Sequence, residues 1–294
     1  MIPGQFEYAR PKDLTEALKL LKDNEGTAKV LSGGYSLLPL IKLRLAQPEL
    51  LVDIRDVTGL SGISETDDEL RIGGRTTHAQ LAADDRIAAR YPVLHEAASG
   101  IGDPQIRNWG TIGGSCAHAD PSSDWPAVLL ATRATILVRS ASGERIIAAR
   151  DFFLDTFQTA IGPTELLTEV RIPRSTSRSA GAYEKLERRA GDFATVGVAV
   201  QLDMGEDGRI GAAGVALTAV AETPFAATGA EEALVGQTPS EALFRAAGDA
   251  AAEQSRPATD SHGPAEYKRA MASEITVRAL LRAVERTMAG SAGR

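Results

Sequence analysis

The sequence predicts an α+β protein in two domains, and three observations carry that reading. Short apolar strands alternate with helix-spaced segments through the first hundred residues, and glycine pairs at Gly33-Gly34 and Gly113-Gly114 each open onto a helix. Beyond residue 180 a run of strands gives way to a run of helices, the pattern of a small antiparallel sheet covered on one side. A chain of 294 residues that is 43% hydrophobic is long enough to bury two moderate cores.

Taken in order, Asp13 to Asn24 reads as an amphipathic helix, with Leu14, Leu18 and Leu21 on one face and Gly26 as a stop. Ala28 to Leu31 is a short strand running into Ser32-Gly33-Gly34-Tyr35-Ser36, and Leu37 to Leu45 is apolar enough for a buried helix or turn. Leu50 to Ile54 and Glu69 to Ile72 are strands, while His78 to Ala89 and Pro92 to Ser99 have helical spacing. Gly110 to Ser115 forms a second glycine loop before the helix Ser123 to Thr132. Thr135 to Arg139 and Glu144 to Ala148 make a hairpin around Ser142-Gly143, and the strand Leu166 to Ile172 closes the unit. The polar stretch Arg174 to Ala180 marks a boundary between domains at 1–175 and 180–290. After it come strands at Tyr183 to Arg188, Thr195 to Asp203 and Arg209 to Val220, then helices at Ala227 to Val235, Ser240 to Glu253 and Ala265 to Met288.

Composition excludes several classes of function. A net charge of −7 repels a phosphate backbone, so no nucleic-acid partner is expected. The single cysteine, Cys116, cannot supply the thiolates of an iron–sulfur cluster, and none of the four histidines has zinc-hydrolase spacing. No stretch approaches the roughly 18 apolar residues of a transmembrane segment, and the amino terminus lacks a secretory pattern, so the expected compartment is the cytoplasm. His78, His95, His118 and His262 are scattered and read as surface or satisfied core residues.

Paired glycines let consecutive backbone N–H groups approach a phosphate without a Cβ in the way, though a lone pair also suits a plain strand-to-helix turn. Two such loops in an acidic chain suit a dinucleotide, whose diphosphate can be held by backbone donors alone. A nicotinamide Rossmann domain competes, because Asp53 ends a strand about 20 residues after the first pair. Against it, Ser32 to Leu37 is not GxGxxG, Pro39 interrupts the following helix, and the second loop has no Rossmann role.

The segments VLSGGYSLLPLIKLRLAQPELLVDI (Val30 to Ile54) and IGDPQIRNWGTIGGSCAHADPSSDWPAVLLA (Ile101 to Ala131) resemble the flavin-binding medium subunit of the xanthine dehydrogenase and carbon monoxide dehydrogenase family of molybdenum hydroxylases. GPTELLTEVRIP and YEKLERRAGDFATVGVAV continue the resemblance in order, and it covers essentially the whole chain. It implies a two-lobed FAD-binding domain of the PCMH type followed by the family's C-terminal α+β domain. It also implies FAD contacts from Val30, Leu31, Ser32, Gly33, Gly34, Tyr35, Ser36 and Leu37 in one cradle, and from Thr111, Ile112, Gly113, Gly114 and Ser115 in the other. By the same resemblance Ile101 and Leu167 lie against the cofactor, Asp124 hydrogen-bonds it and Lys185 stands beside it. On residue chemistry alone, Ile101 and Leu167 equally suit a core, Asp124 a helix start and Lys185 a solvated strand. Tyr35 and Cys116 depart from the family pattern, which has smaller or amide and aliphatic side chains there.

The resemblance further implies an electron-transfer subunit working with a large molybdopterin-binding subunit and a small 2Fe-2S subunit, as a dimer of heterotrimers. The lone cysteine agrees, since the clusters must sit on a partner. A stand-alone flavin oxidoreductase and a scaffold without cofactor are the competing readings. The first needs an acid or base over the flavin that the sequence does not supply, and the second is disfavoured by glycine loops free of bulky insertions.

Overall fold

The structure, a computed structural model, describes residues 2–292, with side chains through Thr287. Met1, where the expected first domain begins, and the Met288 side chain lie outside the described residues. A first lobe is built from β1 (Glu7–Ala9), α1 (Leu14–Asp23), β2 (Ala28–Leu31), α2 (Leu37–Lys42) and β3 (Leu50–Asp53). The Asp13 carboxylate caps α1 by accepting the Glu16 N–H, and Ala17, Leu18 and Leu21 turn inward as the spacing requires. β1 and β2 both pair in parallel with β3, so the short sheet has the order β1-β3-β2 and sends β2 straight into the first glycine loop. The expected buried segment after that loop is instead superficial: in α2 only Ile41 is buried, while Leu38, Leu43 and Leu45 are exposed.

The second lobe contains β4 (Ile63–Glu65), β5 (Glu69–Gly73), α3 (His78–Ala83), α4 (Asp85–Arg90), α5 (Pro92–Gly100), α6 (Pro104–Trp109), α7 (Ile112–His118) and α8 (Asp124–Ala131). It continues with β6 (Thr135–Ser140), β7 (Gly143–Ala148), β8 (Phe153–Asp155), β9 (Gln158–Thr159) and β10 (Leu166–Pro173). Its antiparallel sheet has the order β4-β5-β10-β6-β7, so β10 returns to pair with β5 across roughly a hundred residues. The single helix expected over His78 to Ala89 is two, because Asp84 leaves helical geometry and its carboxylate accepts the Arg86 and Ile87 N–H groups to start the second.

The C-terminal domain is the sheet β11 (Ser179–Leu186), β12 (Val196–Met204), β13 (Ile210–Thr218) and β14 (Phe225–Ala226), followed by α9 (Thr228–Leu234), α10 (Glu241–Gln254) and α11 (Ala265–Ala292). β11 begins four residues before the expected Tyr183, since Ser179 to Ala182 pair with Asp203 to Val200 despite lacking strand-like bulk. One face of this sheet, with Val198, Val200, Val215 and Leu217, packs under the last helices. The other face presents Tyr183, Ala199 and Ala216 in register to the second lobe. The two alanines let α8, buried along its whole length, lie directly on the sheet. Burying Trp125, Val128, Leu129 and Leu130 there contributes about 1.5–3 kcal/mol each. Glu96 on α5 pins the seam: its carboxylate accepts from Arg286, Arg282 and the Tyr183 N–H.

Candidate cofactor site

Three segments with long sequence separations meet around the two glycine pairs. The first loop leaves β2 at Leu31 and enters α2, with Gly34 at φ +87°, a left-handed conformation that favours glycine. Gly33 is glycine for a different reason, because a Cβ there would lie 2.2 Å from the Trp109 carbonyl oxygen. Ser32 Oγ and Thr111 Oγ1 are 2.9 Å apart and tie the two loops together. The backbone N–H groups of Ser32, Gly33, Gly34, Tyr35, Ser36 and Leu37 find no hydrogen-bond partner among the described residues, the first internal bond being Leu38 N–H to Gly34 O at 2.9 Å. These donors sit on partly or fully exposed residues, a consecutive row open to an acceptor. The Tyr35 side chain projects outward and is exposed.

The second loop differs. Gly113 and Gly114 belong to the first turn of α7, capped by Thr111, whose Oγ1 accepts the Gly114 N–H at 3.1 Å. Ile112 N–H donates to Thr76 O, Gly113 N–H to Gly74 O and Ser115 N–H to Thr111 O, at 3.1, 2.9 and 3.0 Å. The N–H groups of Ile112 to Ser115 are thus engaged inside the protein, and of the backbone donors expected from this loop only that of Thr111 has no partner among the described residues. A Cβ on Gly113 would lie 2.6 Å from Gly74 O, so this glycine exists for contact between backbones. Leu167, buried at a bulge in β10, packs on the same Gly74 from the other side. Ser115 Oγ reaches Ser123 Oγ at 2.7 Å, which leads to the start of α8.

There Asp124 meets the C-terminal sheet. Its carboxylate accepts the Tyr183 hydroxyl and stands 3.3 Å from Lys185 Nζ, which also donates to Gly100 O at 3.3 Å beside the half-buried Ile101. Burial pushes the Asp124 carboxyl up from its ordinary value, while Lys185 and the Tyr183 hydroxyl oppose that shift. Burial and the neighbouring Asp124 charge hold the Tyr183 phenol well above its ordinary value. Tyr183 and Glu187 escaped the sequence reading, although both fall on Lys185's side of the chain by the period of two that governs strands.

Buried His78 bridges the two ends of the site. Its backbone N–H donates to Gly110 O at 3.0 Å, and its Nδ1 accepts the Trp125 indole N–H at 3.1 Å. Desolvation, helped by Arg107, lowers its pKa to about 4 from 6.5. A depressed pKa means the folded chain binds fewer protons than the unfolded chain between those values. Stability from His78 is thus full above pH 6.5 and is lost as pH falls through about 4, for a total of about 3 kcal/mol. The urea midpoint should fall as pH drops across this window in the wild type and fall less in His78→Gln; an equal fall in both would refute the neutral buried imidazole. Cys116 is fully buried with its thiol pushed up by desolvation, and His118 packs against Phe157 with ring centroids 5.0 Å apart.

Fold and site together define a two-domain cofactor-binding protein, with an open backbone cradle at one end and a buried polar cluster shared by both domains at the other. Residues 4–175 match the FAD binding domain in molybdopterin dehydrogenase, and residues 181–283 match the CO dehydrogenase flavoprotein C-terminal domain. The chain belongs to the family of FAD-binding medium subunits of molybdenum hydroxylases. It is 44% identical over 289 residues to the carbon monoxide dehydrogenase medium chain of Afipia carboxidovorans, covering 98% of this chain and 99% of that one. It is 37% identical to the 6-hydroxypseudooxynicotine dehydrogenase complex subunit alpha of Paenarthrobacter nicotinovorans, over 97% of both chains. In structure it is similar to a chain of the Hydrogenophaga pseudoflava carbon monoxide dehydrogenase, with TM-score 0.94, 43% identity and coverage of 97% and 99%. No helix among the described residues is long and apolar enough to cross a membrane.

Proposed function

We propose that this chain is the electron-transfer subunit of a molybdenum hydroxylase, taking electrons from 2Fe-2S clusters on a small partner subunit and passing them to an external acceptor. A large partner subunit carrying the molybdenum–pterin centre oxidises the substrate, and the assembly is a dimer of heterotrimers. The division of labour follows domains at 1–175 and 180–290.

The observation that carries this reading is the row of unengaged backbone donors from Ser32 to Leu37, which fits the diphosphate of FAD. Val30 and Leu31 place that row at the end of β2. Thr111 to Ser115 form the rigid wall behind it, with Ile112, Gly113 and Gly114 holding the backbone and Thr111 fixing Ser32. Ile101 and Leu167 supply apolar surface, and Asp124 and Lys185 supply the polar end between the two domains. A bound flavin exchanges electrons singly or in pairs. The chain's residues bind and orient it and exclude water, and none is needed as acid, base or nucleophile.

The test is to incubate the purified chain with excess FAD, remove unbound material, denature it and identify the released flavin by chromatography and absorbance. About one FAD per chain, followed by co-purification of molybdenum and iron–sulfur subunits, is the expected result. Release of FMN, a nicotinamide or nothing overturns the reading.

A further inference from the structure

The polar cluster sets two carboxyl groups around one ammonium. Lys185 Nζ lies between two carboxylates, 3.3 Å from Asp124 and 3.5 Å from Glu187 Oε2. The Lys185 and Asp124 side chains are only 9% and 8% exposed. Asp124 has a second donor in the Tyr183 hydroxyl, whereas Glu187 Oε2 is buried and has no hydrogen bond. One ammonium therefore serves two carboxylates, the Asp124 side chain buried and the Glu187 side chain 27% exposed with its Oε2 turned inward.

Packing alone does not account for a carboxylate at this position. Glu187 follows the end of β11, and its buried oxygen makes neither a helix cap nor a turn contact. What it does contact is Lys185, whose other partners are Asp124 and the Gly100 carbonyl. Those contacts at 3.3 to 3.5 Å are all longer than a tight ammonium–carboxylate bond of about 2.8 Å, so the ammonium is held centrally and is not committed to one oxygen.

We infer that Glu187 is a positioning residue that holds Lys185 between the domains and lowers the redox potential of the bound flavin. The inference rests on the proposed FAD site with Lys185 beside the cofactor. With the flavin held beside Lys185 as proposed, a carboxylate on that ammonium would disfavour the electron-rich reduced form, because a cation drawn partly toward Glu187 compensates less.

The test uses the full chain loaded with FAD as wild type, Glu187→Gln and Glu187→Asp, with two readouts. These are retained FAD and the midpoint potential from a spectroelectrochemical titration. Glu187→Gln preserves shape and removes charge: it should keep about one FAD and titrate at a more positive potential. At the poise where half the wild-type flavin is reduced, its reduced-to-oxidised ratio should be about tenfold higher. Glu187→Asp keeps the charge and should stay close to wild type. The inference is overturned if Glu187→Gln titrates with the wild type, if Glu187→Asp shifts as far as Glu187→Gln, or if Glu187→Gln loses its FAD. A wild-type chain that takes up no FAD fails the site assignment itself, an outcome distinct from a loaded wild type and unshifted variants.

Discussion

Gly33→Ala should weaken FAD binding by about 100-fold, near 3 kcal/mol, while leaving most of the fold intact. The added methyl would lie 2.2 Å from the Trp109 carbonyl oxygen and 2.9 Å from its carbonyl carbon, and neither atom can swing aside as a side-chain tip can. Either the first loop lifts or the end of α6 retreats. Lifting the loop breaks the contact of Ser32 with Thr111 and turns the row of donors away from a common acceptor. Gly33 lies outside the left-handed region, so the effect is steric and owes nothing to backbone strain. A fluorescence titration of the chain with FAD, paired with a thermal melt, checks it. Wild-type affinity in the variant would show that the loop does not need Trp109 at its back.

Gly214→Ala should have the larger effect on stability. Gly214 lies on β13 under α8, where a Cβ would stand 1.8 Å from the Ala131 carbonyl oxygen. Strand and helix must separate to admit it, and α8 has no exposed side to relax into. A loss of about 3 kcal/mol or more is expected, which lowers the melting temperature of a chain this size by about 5 °C or more. Because the same seam brings Lys185 to Asp124, FAD retention should fall with it. Calorimetry of the wild type and variant decides: a melting temperature within 2 °C, the shift of about 1 kcal/mol, would mean the seam is looser than described.

Much of this architecture was legible wherever a local pattern dictates the outcome. Leucine spacing and Asp13 marked α1, the Ser142-Gly143 turn marked the hairpin of β6 and β7, and a strand-like run at Thr195 to Asp203 marked β12. Elements made by long-range pairing were invisible. β1 and β4 are three residues each, and they become strands only because β3 and β5 offer edges. The helix α6 and the break at Asp84 depend on side-chain caps within one turn, a signal available from Asp103 followed by Pro104 and from Asp84 itself. At the site, both glycine pairs stood out, but their physics did not. Sequence shows that a Cβ is unwelcome, not whether a ligand or another backbone takes its place. At Gly33 and Gly113 the neighbour is Trp109 or Gly74, and only Gly34 needs its conformational freedom.

The buried pair of Asp124 and Lys185 also bears on how the protein is made. A ribosome releases the whole first loop some 150 residues before it releases Lys185, counting from Ser32 to Lys185. An early nascent chain thus has a place for the diphosphate but only half of the polar end. On the proposed site, loading would be complete only when β11 docks beside α5 and brings the Lys185 ammonium to Asp124. A ligand that bridges two such halves stabilises their docked state by mass action, so on the proposed site FAD supplied during synthesis would be expected to raise the yield of joined domains.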